Sequence, residues 1–261
     1  MRSNALTGLS PGQLLVLTGR VRDAIGDVSK PGGRPPAIGL YRSVVMVVHL
    51  MRRNPVQAVA GEIFGVSQAT VSRRWDLLRP IIRRVLAESV PHPLEIIGGS
   101  TLLVDGTIAP TWDWKHIRDL YSAKHGTAGM NIQLAASPDG RVAAVGAATV
   151  HGAHHDAYAF GASGLKDLLA GFHTAGDLGY VGVDGIDIVP YKRAAGCDLR
   201  EVDAAFNIAF SKIRAAVEQA VATLKTWRML SKQGGCYRAP IAKFEDTLNA
   251  IIGLMFFAAY E

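Results

Sequence analysis

Residues 101–110 read TLLVDGTIAP. Leu102, Leu103 and Val104 form the apolar run of a buried strand, but a core has no use for the aspartate that follows them. In one reading Asp105 and Gly106 are a turn that closes the strand, with the carboxylate bonding nearby backbone. In the other, Asp105 is a functional carboxylate carried to a strand end. The choice rests on whether other carboxylates downstream can meet it.

A second strand-like run, GFHTAGD at 171–177, also ends in an aspartate, Asp177, and continues LGYVG. Further on, FNIAFSKIRAAVEQAVATLKTW (206–227) repeats Ile208, Ile213, Val217, Val221 and Leu224 at helical spacing and carries Glu218 beside that stripe. A lone glutamate there is an ordinary rim residue. Two aspartates at strand ends and a glutamate on a packing helix are together the hard oxygen donors that Mg2+ or Mn2+ requires. Two such ions about 4 Å apart can activate water and stabilise the leaving oxygen in phosphodiester cleavage.

Outward from these residues, the second half reads as mixed α/β. Strands are expected at about 130–136 and 141–149, joined through the tight turn SPDG as a hairpin. A helix at about 156–170, a strand at about 172–176 and long helices at about 201–227 and 240–259 follow. VPHPLE, with Pro91 and Pro93, breaks the preceding helical texture. The chain therefore divides into a helical domain at 1–92 and a catalytic domain at 93–261.

The first half is helical. Ser10 and Pro11 form an N-cap and first-turn pair, SKPGGRPPAIG (29–39) is a loop or basic arm, and helices are expected at about 39–53 and 55–63. In NPVQAVAGEIFGVSQATVSRRWDLLRPIIRRVLAE, a short helix with Val59 and Ile63 inward ends at Gly65, Val66 plugs the angle, and Ser67 caps a second helix from Gln68. That is helix-turn-helix spacing, with Gly61 where such motifs usually carry alanine. Gln68, Ala69, Thr70, Ser72, Arg73 and Arg74 offer the polar and basic atoms a major groove needs, while Val71, Trp75 and Leu78 face the core. A plain αα-hairpin with a basic wet face is the competing reading.

The 261 residues include 28 Lys and Arg against 22 Asp and Glu, a net +6 that favours an anionic partner, nucleic acid first. With 49% hydrophobic and 19% charged residues the composition is globular. Cys197 and Cys236 are far apart in sequence and have no Cys-x-x-Cys or His spacing around them, which supports neither a disulfide framework nor a structural zinc site. The N-terminus lacks a signal-peptide stretch and AIIGLMFFAAY is too short to span a bilayer, so a soluble cytoplasmic, nucleoid-associated protein is expected, with no membrane partner.

LLVDGT, YSAKHGTAGMNIQLAASPDGRVAAVGAATVHGAHHDAYAF, GDLGYVG and FNIAFSKIRAAVEQAVATLK together resemble the DDE superfamily endonuclease domain of Harbinger-like and related bacterial insertion-sequence transposases. The resemblance runs from about residue 5 to 230, its N-terminal part matching the helix-turn-helix that precedes that domain. It implies an RNase H-like fold in which Asp105, Asp177 and Glu218 hold two Mg2+ or Mn2+ ions. The family's arginine, glutamate and lysine spacing falls on Arg214, Glu218 and Lys225, and implies that the two basic residues bind phosphates flanking the site. Ser211 replaces the aromatic or histidine often found before that arginine. The short interval from Asp177 to Glu218 leaves no room for the β-rich insertion of some relatives.

The implied protein is a transposase that binds terminal inverted repeats and cleaves and joins double-stranded DNA at transposon ends and target, as a homodimer or higher synaptic complex. No Ser or Tyr is placed as a nucleophile, so no covalent protein–DNA intermediate is expected. The alternatives are a catalytically silent, domesticated DNA-binding regulator and a nuclease without strand transfer. Lys124 and His125 are candidate phosphate contacts. His151, His154, His155 and Asp156 are read as structural or DNA-contacting rather than metal-binding, Trp112 and Trp114 as rim or base-stacking residues, and Asp184, Asp187 and Asp203 as solvated loop or cap carboxylates.

Overall fold

The computed structural model describes residues 5–26, 36–97, 101–112 and 116–261. Most of the loop or arm expected at 29–39, and Trp114, lie outside the described residues. In chain order the helices are α1 (Pro11–Ile25), α2 (Leu40–Arg53), α3 (Gln57–Phe64), α4 (Gln68–Val85), α5 (Pro93–Ile97), α6 (Asp156–Ala162), α7 (Leu165–Leu168), α8 (Glu201–Lys225) and α9 (Phe244–Tyr260). The strands are β1 (Leu102–Pro110), β2 (Tyr121–Ser122), β3 (Thr127–Ala136), β4 (Val142–Val145), β5 (Val150–His151) and β6 (Thr174–Ala175). They fall into two compact units, 1–91 with 226–261, and 92–225. By packing, α9, which the sequence reading places in the catalytic domain, lies against α4 in the helical unit. The physical reason is its composition, since Leu248, Ile251, Ile252, Leu254, Met255 and Phe256 are buried around much of its circumference and need helical partners.

In the helical unit, Ser10 and Gln13 form a reciprocal capping box at the start of α1, with Pro11 at the first helical position. α3 ends at Gly65 in the left-handed region (φ 68°), and the Ser67 hydroxyl accepts from the Thr70 amide to cap α4. Val71, Trp75 and Leu78 are buried, as expected. The inward face of α3 is a correction: Val59 and Ile63 are 47% and 50% exposed, and Ala60, Gly61 and Phe64 are buried instead. Close approach decides the orientation, because a Cβ on Gly61 would stand 2.6 Å from the Val66 carbonyl oxygen. The helix must turn its glycine toward the chain reversal, which carries Val59 and Ile63 outward.

The second unit is built on a mixed sheet. β1 pairs antiparallel with β3 from Leu103↔Ala136 to Pro110↔Gly129, and parallel with β6 through Leu102↔Thr174 and Leu103↔Ala175. The far edge of β3 takes β2, β4 and β5, all antiparallel. The SPDG turn closes the expected hairpin, with Gly140 at φ 83° and a Ser137 amide to Arg141 carbonyl bond. α6 buries Ala159 and Phe160 against β3, and α8 buries Phe210, Val217, Ala220 and Leu224 in the unit's core. Two expectations change. The helix expected at 156–170 is broken into α6 and α7 at Gly164 (φ 78°), and Ile208 and Ile213 are 63% and 50% exposed; Ile208 stands nine residues before the buried Val217, on the opposite face of the helix. Among the described residues no helix is long and apolar enough to cross a membrane.

Candidate active site

Asp105 does not close a strand. β1 continues to Pro110, so the carboxylate sits mid-strand, where burial is full at 102–104 and at 108–110 and partial at 105–107. Asp177 follows β6, the parallel neighbour of β1, and its Oδ1 accepts from the Gly179 amide at 2.8 Å, turning the chain into the short 3-10 helix at 178–180. Leu103 pairs with Ala175, and each aspartate stands two residues further on, so adjacent parallel strands bring Asp105 and Asp177 side by side. They converge on one nitrogen: Arg214 Nη2 lies 3.5 Å from Asp105 Oδ1 and 3.9 Å from Asp177 Oδ2, while Arg214 Nε is buried with no hydrogen-bond partner among the described residues.

Burial pushes the Asp105 carboxyl above the usual range, against the pull of Arg214 and the Gly106 amide, and the Asp177 and Asp156 charges add to the rise. A third carboxylate, Asp156 at the start of α6, is 8% exposed. Its Oδ1 accepts from Asn131 Nδ2 (3.1 Å) and Gln133 Nε2 (3.2 Å), and its Oδ2 from Lys124 Nζ (2.7 Å). Burial acts to raise its pKa, but these bonds from Lys124, Asn131 and Gln133 prevail and hold it below the usual range. The Tyr180 hydroxyl donates to Gln133 Oε1 at 2.5 Å, and burial raises that phenol strongly.

The donor set tests the fit to a divalent ion. Asp105 and Asp177 offer hard carboxylate oxygens, the donor type Mg2+ and Mn2+ take, close enough together to share one cationic nitrogen. Glu218, one turn beyond Arg214 on α8, is exposed. Among the described residues no group of three His, Cys, Asp or Glu side chains is set to hold a metal.

The other expected site residues distribute as follows. On α4, Gln68 and Arg73 are exposed, and Thr70, Ser72 and Arg74 are half-buried. Gln68 donates to Gln57 at 2.7 Å, and Thr70 Oγ1 lies 3.1 Å from Ser67 Oγ. Lys124 pairs with Asp156 rather than standing free. Arg214 and Lys225, expected on flanking phosphates, are engaged within the unit: Arg214 is drawn to the two aspartates, and the Lys225 ammonium donates to the Ile108 carbonyl of β1. His155 caps α6 through Nδ1, accepting from the Tyr158 amide at 3.2 Å, and His154 stacks on Tyr158 at 4.4 Å. Trp112 is 57% exposed. Asp184 pairs with Lys166 and Asp203 with Arg200, while Asp187 accepts from the Thr174 amide.

Sequence reasoning missed Asp156 as a neighbour of the pair, together with Asn131, Gln133 and Tyr180. A signal was available. Asn131 and Gln133, two apart in MNIQLAA, lie on one face of a strand whose other residues are apolar, so two amides require a buried polar partner.

Burial lowers the Lys225 amine to about 8 from 10.5. The folded state releases this proton before the unfolded chain does, so between those values the unfolded chain binds more protons and stability rises with pH. Urea unfolding should show the wild type gaining on Lys225→Met by on the order of 1 kcal/mol per pH unit between pH 8 and 10. Parallel pH profiles for the two proteins would contradict this account of Lys225.

A family model described as DDE superfamily endonuclease matches residues 104–255, beginning one residue before Asp105 and taking in Asp177 and Glu218. A putative transposase for insertion sequence element IS112 from Streptomyces albus G is 28% identical over 225 residues, which is 86% of this chain and 83% of that protein. No solved structure matches. A match over more than half of the chain, with paired aspartates meeting at one cationic nitrogen within it, shows that the chain belongs to the DDE superfamily of endonucleases.

Proposed function

We propose that this protein is a DNA transposase that cleaves and joins DNA with the help of divalent metal ions. The observation that carries the reading is the delivery of Asp105 and Asp177 by adjacent parallel strands to one shared cation position. The matched family is an endonuclease family that generally uses divalent metal ions, and the IS112 relative is named a putative transposase. The mixed sheet, with β1 flanked by an antiparallel β3 and a parallel β6, supports an RNase H-like reading of the catalytic unit.

In this reading Asp105 and Asp177 hold the metals, and Glu218 completes the set from α8. When bound there, two Mg2+ or Mn2+ ions supply an activated water and charge stabilisation at the phosphodiester. Arg214 orients the two carboxylates and offsets their mutual repulsion, and Lys124 keeps positive charge beside them. The helical unit binds terminal inverted repeats through α3 and α4 as a helix-turn-helix, with Gln68, Thr70, Ser72, Arg73 and Arg74 toward the groove. Bringing two transposon ends together calls for a dimer or higher synaptic complex.

Labelled DNA from the element's own ends, incubated with Mg2+ or Mn2+, should yield 3′ hydroxyl ends and joined products with wild type and neither with Glu218→Gln. Cutting without joining would establish a nuclease instead, and binding without cleavage by wild type a regulator. For the DNA-reading helix, Arg73→Ala with Arg74→Ala should weaken binding and reduce the slope of log K against log salt by about 2. An unchanged salt slope in fluorescence anisotropy would remove α4 from the DNA interface.

A further inference from the structure

Asp156 is more buried than Asp105, yet its contacts show that it is not a ligand in waiting. Both of its oxygens are taken, Oδ1 by the Asn131 and Gln133 amides and Oδ2 by Lys124. Both amides carry a further tie. Gln133 Nε2 also bonds Asn131 Oδ1 at 2.9 Å, Asn131 Nδ2 reaches the His154 carbonyl at 3.2 Å, and Gln133 Oε1 receives the Tyr180 hydroxyl. Tyr180 stands three residues after Asp177 and is fully buried. Gln133 pairs directly across the sheet from Gly106, the residue after Asp105. A Cβ on Gly106 would press into the Asp156 carboxylate and stand 2.5 Å from Gln133 Nε2, so the glycine is the space the network occupies. The chain of bonds therefore ties the turn that carries Asp177 to β3 and α6, and its members Gln133 and Asp156 close around Gly106 in the strand that carries Asp105.

We infer that Asp156, Gln133, Asn131 and Tyr180 are positioning residues: their buried network locks the Asp177 turn against β1 and sets the separation and orientation of the two carboxylates that receive the divalent ion. The inference rests on the reading of Asp105 and Asp177 as metal ligands. Groups that fix the orientation of ligating side chains commonly contribute tenfold to a hundredfold in metal affinity, and this network acts on the two carboxylates through the backbone that carries them. A loosened pair has a signature beyond weaker binding, because Mg2+ demands near-ideal octahedral geometry while Ca2+ accepts a flexible one.

The test is calorimetric titration of the full chain with Mg2+ and with Ca2+, comparing wild type, Tyr180→Phe, Asp156→Asn and Asp105→Asn, each first checked for cooperative unfolding. Tyr180→Phe changes no charge and removes only the hydroxyl. Asp156→Asn removes a charge that acts alike on both divalent ions, so the ratio of affinities isolates geometry. Tyr180→Phe and Asp156→Asn should bind Mg2+ about tenfold or more weakly, with a clearly smaller loss for Ca2+. Equal losses for the two ions, or wild-type affinities in both variants, would overturn the positioning role. So would complete loss of both ions in Asp156→Asn, since that would make Asp156 a ligand. Full affinity in Asp105→Asn would instead sink the underlying metal reading, and an Asp156→Asn protein that fails to fold leaves Tyr180→Phe to decide.

Discussion

Asp105→Asn is expected to lose about 1,000-fold or more in DNA cleavage while retaining its fold and its affinity for DNA. The substitution keeps the size of the side chain and removes the charge that a divalent ion needs. Losing several kcal/mol of transition-state stabilisation corresponds to a factor of about ten per 1.36 kcal/mol. Stability should move the other way. Burial holds the Asp105 carboxyl above its unfolded value, so ionising it at neutral pH costs folding free energy. That cost is relieved as pH falls through the folded-state pKa, and asparagine relieves it at every pH. The variant should therefore melt at or above the wild-type temperature while being inactive, the pattern of a residue kept for function at the expense of stability. A variant that cleaves within tenfold of wild type, or that melts well below it, would point to a structural aspartate. Single-turnover cleavage and scanning fluorimetry on the same preparations distinguish the cases.

Gly106→Ala is the second large effect, and it acts on the fold. The added methyl would meet the Asp156 carboxylate and the Gln133 amide, both held by several hydrogen bonds, so neither can yield without leaving a buried polar group unpaired. Overpacking alone costs about 1–3 kcal/mol, and a disrupted buried network adds to it. A drop in melting temperature on the order of 10 °C follows for a unit of this size, with loss of cleavage. Gly161 is the control. It lies in α6 with open space where a Cβ would go, so Gly161→Ala should be neutral or mildly stabilising. If both alanines leave the melting temperature unchanged, the socket described around Asp156 is wrong.

How legible all this was in the sequence depends on the range of the interactions involved. The α1 cap, the hairpin at SPDG and the α3–α4 reversal follow from local chemistry: a serine at an N-cap, glycines in the left-handed region, and apolar residues at a fixed period. Asp105 and Asp177 can be singled out because each follows a strand-like run, although β1 extends well beyond its first three apolar residues, and Asp105 interrupts the strand without ending it. The orientation of α3 was not legible from periodicity, since Val59 and Ile63 satisfy the helical pattern as well as Ala60 and Phe64 do. The backbone contact at Gly61 chose between them. Long-range packing set the remaining differences. Nothing local to 244–260 says that its apolar helix belongs with α4, and nothing local to Asp156 says that Lys124, Asn131 and Gln133 will surround it. The resemblance implies phosphate contacts for Arg214 and Lys225, but tertiary structure gives each a protein partner, two carboxylates for one and a strand carbonyl for the other.

The measurement that goes most directly to the central claim is Mn2+ binding followed by electron paramagnetic resonance on wild type, Asp105→Asn and Asp177→Asn. Wild type should convert free Mn2+ to a protein-bound form, and each single variant should lose most of that binding while remaining folded. Equal binding by all three proteins would contradict the account, leaving the two aspartates as partners of Arg214 rather than as the place where the metal is held.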